Sequence, residues 1–311
     1  MRIVFMGTTD FAVPILFGLA DRYEVVQVVT QPDRPVGRHR RPKQSSVKIC
    51  ATSLNIPLFQ PESIKRDFEP ILAAQPDMIV VCAYGQMIPD RVLFFPRFRS
   101  LNVHASLLPK YRGGAPMQRS LMAGDTETGV TVMYMETKMD SGPLLAQARC
   151  PILPEDDIQT LEGKLSVLGR NLLLETIPLV VAGKIIPQPQ DESQVTFAYN
   201  VKPHEERLDF SLAAEMIKNK IRALSPNPGT YVMLGERKLK LLKVETLPEP
   251  ELIGAVPGEV VIADRDKVHV KTGSGLINIH KVQLEGRNAM DIGAFMNGLG
   301  RDLLAVGRKF T

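Results

Sequence analysis

Asn102 and His104 stand two residues apart in the run Ser100-Leu101-Asn102-Val103-His104-Ala105, alternating with apolar Leu101, Val103 and Ala105. Side chains two apart on a strand point to the same side, so this spacing sets a carboxamide beside an imidazole. An amide donor next to a titratable donor stabilises the oxyanion that develops in acyl transfer. A purely structural hydrogen-bonded pair would show the same spacing, because most buried polar groups simply find partners. Ser106-Leu107-Leu108-Pro109 follows, then Lys110-Tyr111-Arg112-Gly113-Gly114-Ala115-Pro116. Pro109 ends the apolar run, and the glycine pair permits backbone geometry that other residues resist. A polar pair at a strand end followed by a Gly/Pro loop is where open α/β sheets place ligands.

The elements that would position this pair are legible on both sides of it. Residues 2–6 read as a buried strand and Gly7-Thr8-Thr9-Asp10 as a turn, with Asp10 expected to cap a helix running to Ala20. Residues 24–30 form a second strand. Strand, glycine turn, helix and strand open a doubly wound, Rossmann-like sheet. The turn lacks G-x-G-x-x-G, which argues against a nicotinamide cofactor. Ser45 or Ser46 caps a helix over 47–54, and 78–83 is a further buried strand leading into Tyr84-Gly85-Gln86-Met87-Ile88-Pro89. After the central run, 116–122 reads as a helix closed by Gly124, and 129–135 and 144–152 as strands. Asp140 falls in the turn between those strands, where aspartates usually serve the backbone. Asp156 or Asp157 opens a long helix to Val181 whose Leu161, Leu165, Leu168 and Leu172 are expected in the core.

Residues 184–207 hold Pro187, Pro189 and Pro203 among polar residues and read as a linker between a first domain at 1–183 and a second at 208–311. In the second, a helix over 211–223 precedes closely spaced β-rich runs. That pattern predicts a small β-barrel of the OB-like kind. The chain has 311 residues, 44% of them hydrophobic and 23% charged, with a net charge of only +4. Any attraction to nucleic acid must therefore be local. Cys50, Cys82 and Cys150 are scattered core thiols suited to a reducing cytoplasm, with neither disulfide nor zinc spacing. The histidines are equally scattered, and no metal is expected. No apolar run is long enough for a membrane span.

One local charge run stands out. Arg34, Arg38, Arg40, Arg41, Lys43 and Lys48 lie within 34–48 with no acid among them, and prolines and a glycine are expected to keep this stretch out of helix and sheet. It is either a solvated surface or a basic arm for phosphates. Further basic residues, Lys218 to Lys243, are concentrated early in the second domain.

Asn102-x-His104 with Ser106-Leu107-Leu108-Pro109 and Gly113-Gly114-Ala115-Pro116 resembles the signature of the folate-dependent formyltransferases. Gly7-Thr8, Phe11 and Ala12 resemble the family's opening motif, and Met139-Asp140-Ser141-Gly142 its Met-Asp-x-Gly. The resemblance implies a catalytic set of Asn102, His104 and Asp140. It implies a folate pocket lined by Ser106, Leu107, Leu108 and Pro109 and by the loop of Gln86, Met87 and Ile88. Pro32-Asp33-Arg34-Pro35-Val36-Gly37-Arg38 matches an insertion found in members that act on initiator tRNA. This implies tRNA contacts from Arg34, Arg38, Arg40, Arg41 and Lys43, and an appended barrel that binds tRNA nonspecifically. The implied reaction moves the formyl group of 10-formyltetrahydrofolate to the α-amine of initiator methionyl-tRNA, in a monomeric, cytoplasmic, metal-free enzyme. Two other readings stand beside it: a formyltransferase for a small amine, such as a sugar nucleotide or glycinamide ribonucleotide, and a non-catalytic RNA-binding protein.

Overall fold

A computed structural model describes residues 1–36, 41–248 and 254–310. The chain divides into two compact units: Met1–Pro116, Glu127–Pro151 and Leu161–Tyr199 form the first, and Met117–Thr126, Ile152–Thr160 and Asn200–Thr311 the second.

In the first unit the strands are β1 (Arg2–Gly7), β2 (Glu24–Val29), β3 (Arg34–Val36), β4 (Arg41–Lys43), β5 (Leu58–Phe59), β6 (Met78–Cys82), β7 (Ser100–His104), β8 (Glu127–Tyr134) and β9 (Leu144–Pro151). Seven of them form one sheet in the order β5-β2-β1-β6-β7-β8-β9. Pairing is parallel from β5 to β7 and antiparallel from β7 to β9. The α/β, mostly parallel sheet is therefore present. Its central strands are continuous apolar runs because both faces are covered: Ile3 to Met6 and Met78 to Val80 are fully buried.

The helices along the same stretch of chain are α1 (Val13–Arg22), α2 (Ser46–Ser53), α3 (Glu69–Ala73), α4 (Asp90–Leu93), α5 (Pro116–Ala123), which from Met117 on belongs to the second unit, and α6 (Ile158–Val181), whose first turn does. Asp10 does not cap α1. A 3-10 turn, Asp10–Ala12, intervenes, and α1 begins with a proline in its first turn. Ser45 does cap α2, its Oγ accepting from the Lys48 amide at 3.0 Å. Asp157 starts α6, taking the amides of Gln159 and Thr160 at 2.9 Å, while Asp156 holds the Leu153 amide in the preceding turn.

Two further expectations fail for identifiable reasons. The basic stretch is not free of sheet: β3 and β4 pair antiparallel, with Pro35 facing Pro42. Neither proline has an N–H, so a pair that needs no hydrogen bond suits both. In α6, Leu168 and Leu172 are only half-buried, whereas Leu161, Leu165, Gly169, Leu173 and Ile177 face the core. Gly169 is there because the helix approaches the sheet closely. A Cβ on it would lie 3.0 Å from Val103 Cγ1 and 3.4 Å from Val130 Cγ1. Each buried leucine of that face contributes about 1.5–3 kcal/mol. The contact falls on the residue between Asn102 and His104, so packing of α6 bears directly on the site.

The second unit carries α7 (Ala214–Leu224), β10 (Thr230–Leu234), β11 (Arg237–Leu247), β12 (Val260–Ala263), β13 (Val268–Lys271), β14 (Leu276–Leu284), β15 (Met290–Asp291), α8 (Ile292–Met296) and α9 (Gly300–Leu303). Its strands form an antiparallel sheet ordered β10-β11-β14-β13-β12, with β15 beside β14. The β-rich character read from the sequence is thus present. Helix α7 starts later than 211 because Ser211 binds Asp209 Oδ1 with both its amide (2.9 Å) and its hydroxyl (2.7 Å), a local turn that competes with helix. Arg222 Nη1 donates to the carbonyls of Leu153 and Asp156 at 3.2 Å, which ties 152–160 to this unit.

Candidate active site

Strand β7 delivers Asn102 and His104 at the C-terminal edge of the parallel part of the sheet, with Asn102 opposite Val81 of β6. Both side chains belong to a buried strand: Asn102 is 8% exposed and His104 6%. Asp140 arrives from the turn between β8 and β9 and completes the group. Its Oδ1 accepts from Asn102 Nδ2 at 3.4 Å, and its Oδ2 lies 3.8 Å from His104 Nδ1. Three groups up to 38 positions apart in the chain therefore meet.

The loop after β7 closes around them. His104 Nε2 donates to the carbonyl of Tyr111 at 2.9 Å. A carbonyl only accepts, so Nε2 carries the proton and Nδ1 is the edge turned to Asp140. Asp140 Oδ2 also accepts from the Gly113 amide at 2.8 Å. Backbone strain gathers at these contacts: φ is 63° at Tyr111 and 52° at Asp140, both left-handed. Gly113, at φ 127°, tolerates no side chain, since a Cβ would sit 2.6 Å from the Ala198 carbonyl oxygen. That carbonyl accepts from the Ala115 amide at 3.0 Å, and the Ala198 amide donates back to Arg112 at 2.7 Å.

The remaining expected site residues fall on the same edge with different duties. Ser106 Oγ donates to the Lys110 carbonyl at 2.7 Å, which shapes the turn. Thr131 of β8, fully buried, holds the Ser106–Leu108 segment. Its Oγ1 donates to the Ser106 carbonyl at 2.7 Å and accepts from the Leu108 amide at 3.1 Å and from Gln147 Nε2 at 2.9 Å. Gln147 also donates to the Leu108 carbonyl at 2.8 Å. Leu108 is buried, and Leu107 and Pro109 flank it half-buried. In the loop after β6, Ile88 is buried and Met87 is 52% exposed. The Gln86 carboxamide is engaged within the protein, its Oε1 accepting from the Ile64 amide at 2.9 Å and its Nε2 reaching Gln31 and Pro61 at 3.3 Å. This loop therefore offers a ligand its backbone and Met87 rather than the Gln86 amide. Tyr84 opens the loop with a buried hydroxyl that lacks a hydrogen-bond partner among the described residues, and burial pushes that phenol up to about 12.

Arg34 pairs with Glu62 at 2.8 Å, both well exposed, and Lys43 is exposed on β4. Arg38 and Arg40 lie outside the described residues, as does the side chain of Arg41. Cysteine chemistry is disfavoured. Burial raises the thiol of Cys50 and pushes that of Cys82 well above its usual value, with Glu162 adding to the effect at Cys82. Among the described residues no three His, Cys, Asp or Glu side chains are grouped to hold a metal, and no helix is long and apolar enough to cross a membrane. Thr131, Gln147 and the backbone groups of Tyr111 and Gly113 are the participants that sequence reasoning missed. Backbone donors leave no trace in residue identity, and a lone Thr or Gln on a strand carries no motif.

Amide and imidazole donors around a carboxylate at the edge of an open sheet fit acyl transfer chemistry. Comparisons with known proteins agree. Residues 1–177 match the formyl transferase family model, and 200–300 match that of the formyl transferase C-terminal domain. A methionyl-tRNA formyltransferase of Listeria monocytogenes is 44% identical over 310 residues, covering 99% of this chain and 98% of that one. One from Levilactobacillus brevis is 45% identical over 311 residues, with coverage of 99% and 98%. Among solved structures, HypX from Aquifex aeolicus in complex with tetrahydrofolic acid aligns with a TM-score of 0.68 at 18% identity. That match covers 97% of this chain but spans only 48% of HypX. An N-formyltransferase from Helicobacter canadensis in complex with folinic acid and dTDP-3-aminofucose gives 0.66 at 17%, covering 90% and 99%. At such identities these two show a shared fold. The chain belongs to the formyl transferase family.

Proposed function

We propose that the chain transfers the formyl group of 10-formyltetrahydrofolate to the α-amine of methionyl-tRNA, the activity named for relatives matched over nearly their whole length. The observation that carries the chemistry is the meeting of Asn102, His104 and Asp140. The neutral amine attacks the formyl carbon, forming the new C–N bond as the carbonyl electrons move to oxygen. Asn102 Nδ2 has two hydrogens, only one of which faces Asp140, and the other serves the oxyanion. His104 contributes through Nδ1, since Nε2 is committed to Tyr111. Asp140 faces that edge, its Oδ2 3.8 Å from Nδ1. It also takes the proton the amine loses, directly or through water. Collapse of the adduct reforms the carbonyl and breaks the bond to N10 of the folate, which receives the proton that Asp140 took from the amine and leaves as a neutral amine.

For the folate, the support is the apolar edge made by Leu107, Leu108, Pro109, Met87 and Ile88, with backbone groups of both loops for the pterin's polar rim. For the tRNA, the support is the basic β3–β4 segment with Arg34, Arg38, Arg40, Arg41 and Lys43, and the second unit's strands. There exposed Lys243 and Lys281 are paired at a bulge between β11 and β14, with Asp291 of β15 across from Lys281.

Formylation assayed with 10-formyltetrahydrofolate and charged initiator and elongator methionine tRNAs, side by side, tests the reading. Formyl transfer to the initiator species is expected. Turnover of a small sugar amine in place of both tRNAs would overturn the substrate assignment, and RNA binding without any turnover would overturn the enzyme.

A further inference from the structure

The geometry points to Gln190 as a positioning residue that, with Arg112, fixes Asp140 against His104; the inference rests on the formyl-transfer reading above. Arg112 lies between Tyr111, which holds His104, and Gly113, which holds Asp140. Its side chain is fully buried. Its Nε and Nη2 donate to Gln190 Oε1 at 3.0 and 2.9 Å, and Nη2 also donates to Glu192 Oε1 at 2.7 Å. The pairing is felt at Glu192, whose carboxyl is held below its usual range first by the Arg112 hydrogen bond.

Gln190 Nε2 faces the other way. It donates to the carbonyls of Asp140 and Gly142, both at 2.8 Å. One side chain thus joins the loop that supplies the Tyr111 carbonyl and Gly113 amide to the turn that supplies the carboxylate. Its orientation admits no ambiguity. Oε1 alone can accept from a guanidinium, and Nε2 alone can donate to two carbonyls. Asp140 needs such a tie because its left-handed φ persists only where the surroundings impose it. Arg112 cannot substitute for the glutamine, since it does not reach the Asp140 turn by any described hydrogen bond.

This arrangement allows a selective cut. Gln190→Glu keeps an oxygen for Arg112 but turns a second oxygen towards the carbonyls of Asp140 and Gly142. Gln190→Met keeps the length without the repulsion, and guards against a variant that fails to fold. Gln188→Glu makes the same charge change at an exposed side chain of the same segment, one that donates to the Ile186 carbonyl at 3.3 Å rather than to either loop.

The experiment has a kinetic and an exchange arm, each on the full chain. A misplacement of the carboxylate by about 1 Å should lower kcat about 10²-fold, with KM for tRNA and folate little changed, in both Gln190 variants and not in Gln188→Glu. In an Asp140→Asn background the same Gln190 substitutions should lower kcat no further, because the group they place is gone. Equal falls in the two backgrounds, or full turnover in Gln190→Glu, would overturn the positioning role. Hydrogen exchange over 136–144 should quicken in the Gln190 variants while 230–234 stays as in wild type. Unchanged exchange there would overturn the clamp. A wild-type chain inactive on methionyl-tRNA would overturn the proposed function, and the exchange arm would still decide whether Gln190 holds the turn.

Discussion

Both units bury polar side chains, but they use them differently. In the second unit, Ser225 and Thr230 send their hydroxyls to the carbonyls of Leu242 and Leu241 at 2.7 and 2.9 Å, and Thr272 serves Ser274 and Gly275. These bonds settle backbone groups around an apolar cluster running from Leu208 to Phe310. Around β7, by contrast, Asn102 and His104 converge on Asp140, and His104 and Asp140 also engage the tip of a strained loop. The first pattern satisfies polar atoms so that a core can form. The second assembles titratable groups at the cost of strain, which is how sites rather than cores are built.

The contrast can be broken by experiment, and the site offers the largest effect. Asp140→Asn preserves shape but puts an N–H₂ where an oxygen accepts. We expect kcat to fall by about 10²–10⁴-fold, against a stability loss of only about 1–3 kcal/mol by thermal melt. Turnover within about tenfold of wild type would make Asp140 a turn residue like any other. The second unit should answer the opposite way. Leu241→Ala, cut into the fully buried middle of β11, should cost about 2–5 kcal/mol in denaturant titration while kcat per folded molecule stays near wild type. A matching fall in kcat would mean that the second unit's core also sets the geometry around Asp140.

A smaller effect concerns acid. Glu205 is held down to about 2, first by its hydrogen bonds to Arg119 at 2.6 and 3.1 Å and then by the Lys202 amide, from an ordinary value of 4.5. Its folded-state value is depressed, so it contributes stability above pH 4.5 that is lost as pH falls towards 2. The melting temperature of Glu205→Gln should therefore fall less steeply than wild type across that window. Parallel slopes would show that the pair is screened.

The strand bearing Asn102 and His104 was legible because a period of two is visible in any window of five residues, and the sheet around it because buried strands read as apolar runs. Asp140 was found only through its resemblance to a motif; its own neighbourhood reads as a turn. The contribution of Gly113 was invisible because an amide hydrogen has no residue code, and that of Gln190 because it sits in a stretch whose prolines read as a spacer. Gly169 misled in the reverse direction. A count of leucines passes over the position where the absence of a side chain lets α6 touch β7. Pro35 and Pro42 misled too, since each alone argues against a strand and only their facing each other removes the objection.

The stretch from Gln188 to Ala198 is hydrogen-bonded at both ends into the rest of the first unit: Gln188 pairs with Leu144, Gln190 with the Asp140 turn, and Thr196 and Ala198 with the loop at Arg112. A fragment that stopped with α6 would keep every strand of its sheet and still lose the side chain that joins the Asp140 turn to Arg112.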